Sequence, residues 1–235
     1  MLNTLKEIIS LYESILKNID NLQSKNEDDE LFYLVLVQFF IIVKEDLNSI
    51  YVLVKNKNLY TAHIILRHIL EHVITLAYIL KDTEKNVRQF ISYSFKSNQN
   101  ILNDEYFPSY DLDDRKSYLE EKTSIFKDEI RKWPYRLIRR ADLAGLGKSY
   151  AIGYRYLSMF SHPDPRNSDF VFTESDEGQI FFHKPDNISQ KKLIKLTLDY
   201  SLYFIEILID KFELSSFNNR FDKVKKSVSK RCARQ

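Results

Sequence analysis

Apolar residues recur at intervals of three and four in the first part of the chain, which is the spacing of one face of an α-helix. The polar run from Lys25 to Glu30 interrupts this pattern. We therefore predict an amphipathic helix over residues 2–24 with a single buried stripe. The stripe consists of Leu5, Ile8, Ile9, Tyr12, Ile15, Leu16, Ile19 and Leu22.

The next segment, residues 31–54, is apolar on nearly every side from Leu31 to Val43. A helix with that composition lies at the centre of a bundle or under a partner subunit. The β-branched residues of its first half also suit a strand. The length of the segment and its continuation through Leu47 and Ile50 favour a helix.

A third helix is predicted over about residues 59–81, where ionisable side chains are embedded in an apolar pattern. These side chains are His63, Arg67, His68, Glu71 and His72. Burying such groups costs stability unless they pair with each other or line a cavity. Arg67 and Glu71 are four residues apart, so they can pair along one face of the helix.

Helical periodicity continues in the rest of the chain. The apolar stripe of residues 83–103 predicts a fourth helix, and the pattern becomes helical again from about Asp113. Residues 148–162 and 189–212 carry two further helical patterns.

A change of pattern after Pro165 predicts a short β-hairpin. Residues 170–172, and the central residues of 179–183, are apolar or aromatic, and polar residues ending in Gly178 separate the two segments. Two strands alone are marginally stable, so this hairpin, at about residues 166–185, is expected to lie on the helices.

The predicted fold is therefore all-α, a multi-helix up-down bundle with a small β-hairpin insertion. The bundle occupies residues 1–215 as one domain, and residues 216–235 form a basic C-terminal helix or tail. The four glycines and five prolines among 235 residues are too few for a many-turned β-sandwich or barrel.

Composition narrows the classes of function. The net charge of +2 gives no overall electrostatic reason for a nucleic-acid partner. The single cysteine, Cys232, excludes a disulfide framework and a cysteine metal site. No glycine-rich phosphate loop is present, and we predict no cofactor. Neither a signal peptide nor an uninterrupted apolar run of membrane-spanning length is found, so we expect a cytoplasmic protein with no membrane partner.

Candidate chemistry concentrates in residues 149–165. At helical spacing Tyr154, Ser158 and His162 share one face, and Arg155 lies beside them. The proline after His162 ends the helix at or just before that histidine. The negative end of the helix dipole favours a protonated imidazole there, so His162 can exchange a proton near neutral pH.

The spacing Arg155-x6-His162 resembles the R-x(4–6)-H motif of the HEPN superfamily, helical-bundle proteins that include metal-independent endoribonucleases of toxin–antitoxin and anti-phage systems. The resemblance implies that His162 exchanges a proton with the ribose 2′-hydroxyl or the leaving oxygen, while Arg155 stabilises the phosphate. It also implies that two protomers bring their motifs together. Tyr156 stands where that superfamily commonly has a polar residue.

A second, longer pattern is Arg67-x3-Glu71 followed by Tyr154-x3-Ser158-x3-His162-Pro163, which looks like a largely uncharacterised family of bacterial helical proteins. This resemblance implies that the arginine, carboxylate, hydroxyl and imidazole groups meet in one polar pocket. Such a pocket is either a phosphate-handling site or a self-satisfied hydrogen-bond network that fixes helix register.

His68, Glu71 and His72 also spell H-x-x-E-H, the pattern with which inverzincin metalloproteases bind zinc. Such a site needs a further acidic ligand and a large scaffold, which the chain does not recognisably supply. Glu71 is also the expected partner of Arg67. We therefore predict no metal site.

Two basic stretches, residues 131–140 and 220–234, suit an RNA partner, with Trp133 and Tyr135 available for stacking. The alternative is a solvated basic face offset by the acidic residues 104–121.

The leading hypothesis is a HEPN-like, metal-independent endoribonuclease that acts as a toxin or anti-phage effector. His162 would be the acid/base and Arg155 the phosphate stabiliser. The predicted substrate-binding residues are Arg67, Glu71, Tyr154 and Ser158. We expect RNA as the substrate, a homodimer, and an antitoxin or defence-complex partner. The alternative is a non-catalytic helical interaction module that partners a nuclease, polymerase or antitoxin.

Overall fold

The computed structural model describes residues 2–19, 27–103, 113–161, 172–174, 180–182 and 190–233. Within these ranges the protein is almost entirely helical, which confirms the predicted all-α class. The long helices are α1 (Leu2–Ile19), α2 (Glu27–Lys55), α3 (Leu59–Ile79), α4 (Thr83–Leu102), α5 (Asp113–Ile125), α10 (Gln190–Lys211) and α11 (Asn218–Ala233). The short ones are α6 (Lys127–Lys132), α7 (Leu137–Ala144), α8 (Gly147–Ser149), α9 (Arg155–Ser158) and a 3-10 turn at Ser215–Phe217.

Helices α2 and α3 lie at the centre of the fold. Helix α3 packs against α2, α7 and α10, while α1 packs against α2, α10 and α11. Asn58 begins α3 by accepting a hydrogen bond from the backbone N–H of Thr61. Asp82 caps α4 in the same way through the backbone N–H of Lys85. Residues 31–54 are helical throughout, so the strand that their β-branched content also suited does not form.

Helix α3 has the length and apolar composition of a membrane-crossing helix, with a mean hydropathy of 1.2 over its best window. Of that window, 67% is buried inside the fold. A helix at the centre of a bundle is apolar because its neighbours bury most of its surface. The burial of α3 therefore explains its apolar composition.

The segment predicted as one α-helix over residues 148–162 differs from the prediction. A π-helical turn at Tyr150–Tyr154 separates α8 from α9. After Ser158 the backbone continues to Ser161 with i to i−3 hydrogen bonds, the tighter 3-10 pattern. A π-turn inserts an extra residue into the helical repeat. The spacing rule of an unbroken α-helix, which predicted that residues of 148–162 four apart share one face, therefore does not hold over the whole segment.

Two strands, β1 (Phe172–Glu174) and β2 (Ile180–Phe182), pair antiparallel, with Phe172 opposite Phe182 and Glu174 opposite Ile180. The remainder of the predicted insertion at about 166–185 lies outside the described residues. That remainder and the up-down order of the bundle stay predictions.

Tyr12 joins three helices in the middle of the core. Its ring has no exposed surface and stacks on Phe40 of α2, with the ring centroids 4.1 Å apart. Its hydroxyl donates a hydrogen bond of 3.0 Å to the Ser201 carbonyl of α10. The tyrosine thereby fixes α1 and α10 against α2.

Replacing Tyr12 with phenylalanine should lower the free energy of unfolding by about 1 kcal/mol, because a buried hydrogen bond is lost while the ring is kept. Urea denaturation measures the change. The matched control is Tyr118→Phe, since Tyr118 is 48% exposed. Equal stability of the Tyr12→Phe variant and the wild type would contradict this role of the hydroxyl.

Candidate functional site

Arg67 of α3 is the centre of a hydrogen-bond network at the end of α9. Its Nε donates to Glu71 Oε1 at 3.1 Å, and its Nη2 donates to the Tyr154 hydroxyl at 2.6 Å. Its Nη1 donates to the Ser161 hydroxyl. The Arg67 side chain is only 17% exposed, so this partly buried charge is stabilised by one carboxylate and two hydroxyl groups.

Three of the predicted site residues, Arg67, Glu71 and Tyr154, therefore meet in one network. Ser158 does not join them, because its hydroxyl donates to the Tyr154 carbonyl of its own helix at 2.7 Å. Ser161 stands in its place. Its position follows from the tight turn after α9, which the sequence pattern did not indicate.

The two predicted catalytic residues are placed differently. Arg155 is exposed, and within the described ranges its side chain has no hydrogen bond or ion pair. His162 lies outside the described residues. It follows Ser161 directly in the chain, so its backbone is joined to a residue that Arg67 holds.

Gly153 explains how the π-helical turn packs so closely on its neighbours. A Cβ atom at this position would lie 3.2 Å from the Leu70 side chain of α3 and 3.2 Å from the Tyr200 hydroxyl of α10. Within the turn, the rings of Tyr150 and Tyr154 stack at 4.9 Å. A glycine inside a helical pattern was the sequence signal that could have indicated the turn, since it often marks close packing.

A cleft of about 340 Å³ adjoins the network, between α2, α3, α4 and the segment that joins α6 to α7. We call it the aromatic cleft. The residues that define it are Phe39, His68, Glu71, Phe90, Trp133 and Arg140. Glu71 belongs both to this cleft and to the Arg67 network, so the two features share a wall.

His68 and Asp46 form an ion pair at the rim of the cleft, with His68 Nδ1 2.7 Å from Asp46 Oδ2. This hydrogen bond raises the pKa of His68 above its usual value. His72 is its neighbour on α3, and burial lowers the pKa of His72. Asp46 lies on another helix, so no local sequence pattern linked it to His68.

The H-x-x-E-H pattern does not form a metal centre in the part of the chain that the structure describes. No group of three or more His, Cys, Asp or Glu side chains positioned to hold a metal ion occurs there. Each member of the pattern has another partner: Asp46 for His68, Arg67 for Glu71, and the His68 carbonyl for His72.

Arg140 is a half-buried cation in the wall of the cleft. Its Nη1 donates to the carbonyls of Pro134 and Tyr135 at 2.9 and 3.0 Å, and its Cζ lies 5.3 Å from the centroid of the Trp133 ring. Its Nε is buried and has no hydrogen-bond partner among the described residues. Burial lowers the pKa of Arg140, while the nearby Tyr93 and Glu71 act to raise it. Arginine stays charged through such shifts.

The basic stretch 131–140 exposes four of its five cations, but one of its two expected stacking rings is buried. Trp133 is buried, with 4% of its surface exposed, so it is not a free stacking platform. It packs against Tyr78 and Phe90 with ring centroids 5.4 Å away in each case. Tyr135 remains exposed, as predicted.

The fold and the site define an all-α protein with an arginine-centred polar network beside an aromatic cleft. The chain belongs to a family of unknown function, DUF5677, which matches residues 33–180. That range contains the whole Arg67 network and every residue that defines the cleft. It agrees with the resemblance to an uncharacterised helical family, while the HEPN resemblance stays a prediction. No curated protein and no solved structure matches the chain.

Replacing Arg67 with lysine should lower the free energy of unfolding by about 2 kcal/mol. Lysine keeps the charge, but its single ammonium cannot donate to Glu71, Tyr154 and Ser161 at the angles of a guanidinium. Urea denaturation beside Arg139→Lys, a change at an exposed arginine, measures the effect. If the urea concentration at the midpoint of unfolding and the slope of the transition are the same for the Arg67 variant and the wild type, the network adds no stability.

The His68 imidazole should titrate above its usual pKa of about 6.5, and Asp46→Asn should bring the value back toward it. Protonation of His68 therefore stabilises the fold at pH values below about 6.5, and this contribution is lost as the pH rises through the folded-state pKa. NMR titration of the His68 ring protons tests this. A pKa unaffected by Asp46→Asn would contradict the ion pair.

Proposed function

We propose that the protein is a cytoplasmic, HEPN-like, metal-independent endoribonuclease that acts as a toxin or anti-phage effector. One observation carries the proposal: Arg67 anchors both sides of α9, through Tyr154 before it and Ser161 after it, while Arg155 on the same segment is exposed to solvent. A solvent-reachable arginine on a fixed segment is what phosphate stabilisation requires.

In the proposed reaction the ribose 2′-oxygen attacks the adjacent phosphorus and the bond from phosphorus to the 5′-oxygen breaks. His162 takes the proton of the 2′-hydroxyl or gives one to the departing 5′-oxygen, and water accepts or supplies the other proton, so that the proton lost at the 2′-oxygen balances the one gained at the 5′-oxygen. Arg155 stabilises the additional negative charge on the phosphate oxygens. The products are a 2′,3′-cyclic phosphate and a free 5′-hydroxyl.

Arg67 is a positioning residue in this proposal. All three of its guanidinium nitrogens donate hydrogen bonds within the protein, so it holds Tyr154 and Ser161 rather than the substrate. Glu71 fixes the guanidinium in turn. Three of the residues predicted to bind substrate, Arg67, Glu71 and Tyr154, are thus proposed to support the segment that carries Arg155 and His162.

The proposed active form is a homodimer in which two copies bring their motifs together. Ile152, about one turn before Arg155, is 75% exposed, which is unusual for a large apolar side chain. A partner chain that covers Ile152 would also approach Arg155. An antitoxin or a defence-complex subunit is the other proposed partner.

A non-catalytic interaction module is the second candidate, and the outer face of α2 favours it. Leu34, Ile41 and Val52 are all exposed, and their spacings of seven and eleven residues place them on one face of the helix. In this case the Arg67 network only fixes the packing of α9 on α3.

RNA cleavage in EDTA distinguishes the two candidates. Wild-type protein should cut single-stranded RNA, and His162→Ala and Arg155→Ala should each lower the rate by at least about a hundredfold. Arg115→Ala is the matched control, because Arg115 of α5 is an exposed arginine outside the motif and outside both basic stretches. Mass spectrometry should find 2′,3′-cyclic phosphate ends.

Cleavage that survives both motif substitutions would contradict the assignment of these residues. A wild-type protein that is inert alone and with candidate partner chains would favour the interaction module instead.

A further inference from the structure

We propose that the aromatic cleft binds one nucleotide of a single-stranded RNA, with a phosphate on Arg140 and the base against Phe90, Tyr93 and Tyr135. The inference rests on the proposed function for the identity of the ligand. It adds a binding site that is separate from Arg155 and His162.

Arg140 supplies the anion-binding group. Two carbonyls hold its Nη1 in place, and its Nε is buried without a partner in the described part of the chain. Nη1 is therefore occupied and Nε is enclosed, so Nη2 is the nitrogen of this cleft-lining arginine that remains to donate to a ligand. Hydrogen bonds from a guanidinium to a phosphate are charge-assisted and strong, so a fixed arginine is well suited to this ligand.

The carboxylates near the cleft do not oppose an anion strongly, because each has a cationic partner. Glu71 is paired with Arg67, and Asp46 is paired with His68. Arg140 has no carboxylate partner within the described ranges. Among the described lining residues, Arg140 is therefore the charged group without an oppositely charged partner, although the whole chain is close to neutral.

The aromatic rings that line the cleft beside Arg140 form a continuous group. Phe39 and Phe90 meet edge to face at 5.4 Å, and Trp133 lies 5.4 Å from Phe90 and 6.4 Å from Tyr93. Phe39 and Trp133 are buried, whereas Phe90 and Tyr93 are half-buried and offer accessible ring surface. Bases stack on such rings with little dependence on sequence.

Size and hydrogen bonding agree with one nucleotide. The cleft volume of about 340 Å³ falls in the lower part of the range of small-ligand sites, about 300–1,000 Å³. Gln38 lines the cleft, and its exposed side-chain amide can donate to and accept from the edge of a base.

The cleft is also coupled to the segment that carries the proposed motif. Glu71 forms part of the cleft wall and accepts a hydrogen bond from Arg67, which holds Ser161. An RNA strand with one nucleotide in the cleft would pass close to the residue that precedes His162. The cleft would thus position the strand for the proposed reaction.

Trp133 makes the site directly measurable, because it is the only tryptophan of the chain and lies in the cleft wall. Its fluorescence is titrated with adenosine monophosphate, adenosine, inorganic phosphate and a short 2′-O-methyl RNA that cannot be cut. Free tryptophan corrects for light absorbed by the bases. We expect a saturable change, tightest for the RNA and tighter for the nucleotide than for adenosine or phosphate alone.

Arg140→Gln should weaken nucleotide binding by roughly tenfold to a hundredfold, and Tyr135→Ala by about fivefold or more. Arg115→Gln, at an exposed arginine outside the cleft and outside both basic stretches, should bind like the wild type. Thermal unfolding checks each fold. If Arg140→Gln does not fold, the binding test uses Tyr135→Ala and Gln38→Ala instead, because both of these residues are exposed and their replacement should not disturb the core.

No saturable change, equal binding by these folded variants and the wild type, or phosphate binding as tightly as the nucleotide would overturn the inference. The two proposals fail separately. Nucleotide binding that depends on Arg140 in a protein that cuts no RNA would leave the cleft assigned and remove the ribonuclease. If Arg140→Gln cuts RNA at the wild-type rate and nucleotides do not change the fluorescence of the wild type, the ribonuclease proposal stands and the cleft is not a nucleotide site.

Discussion

A guanidinium inside an otherwise apolar helix has to be satisfied by its neighbours, and in this protein Arg67 imposes that requirement. Glu71 supplies a carboxylate from the next turn of α3, and Tyr154 and Ser161 supply hydroxyl groups from the other side. Because the arginine can donate only if the end of α9 lies against α3, the charge fixes where that segment sits. The π-helical turn and Gly153 make the close approach sterically possible.

This arrangement gives the two sides of the network different roles. On the outer side it leaves Arg155 exposed on a segment whose position is fixed, which supports the proposed phosphate contact. On the inner side Arg67 pairs with Glu71, so that Arg140 is the cation of the aromatic cleft that has no carboxylate partner among the described residues. One partly buried ion pair thus contributes to both proposed sites without touching a substrate itself.

The sequence predicted the features that depend on local periodicity. The helices, and the pairing of Arg67 with Glu71, follow from spacings of three and four residues along one helix. Features that depend on contacts between distant helices were missed. Asp46 reaches His68 from α2, and Trp133 and Arg140 contribute to a cleft formed by four separate segments. Ser161 replaced Ser158 in the network because the π-turn and the tight turn after α9 change which side chains face α3, and a regular helical pattern does not show this.

The measurement that tests the central claim most directly is a double-mutant cycle on stability with Arg67→Met and Tyr154→Phe. If the guanidinium holds the segment, the two substitutions remove the same interaction, and the coupling energy should be about 1 kcal/mol or more. The wild type, both single variants and the double variant are compared by urea denaturation. Effects that add to within about 0.3–0.5 kcal/mol would contradict the claim that Arg67 fixes the segment containing α9 through Tyr154.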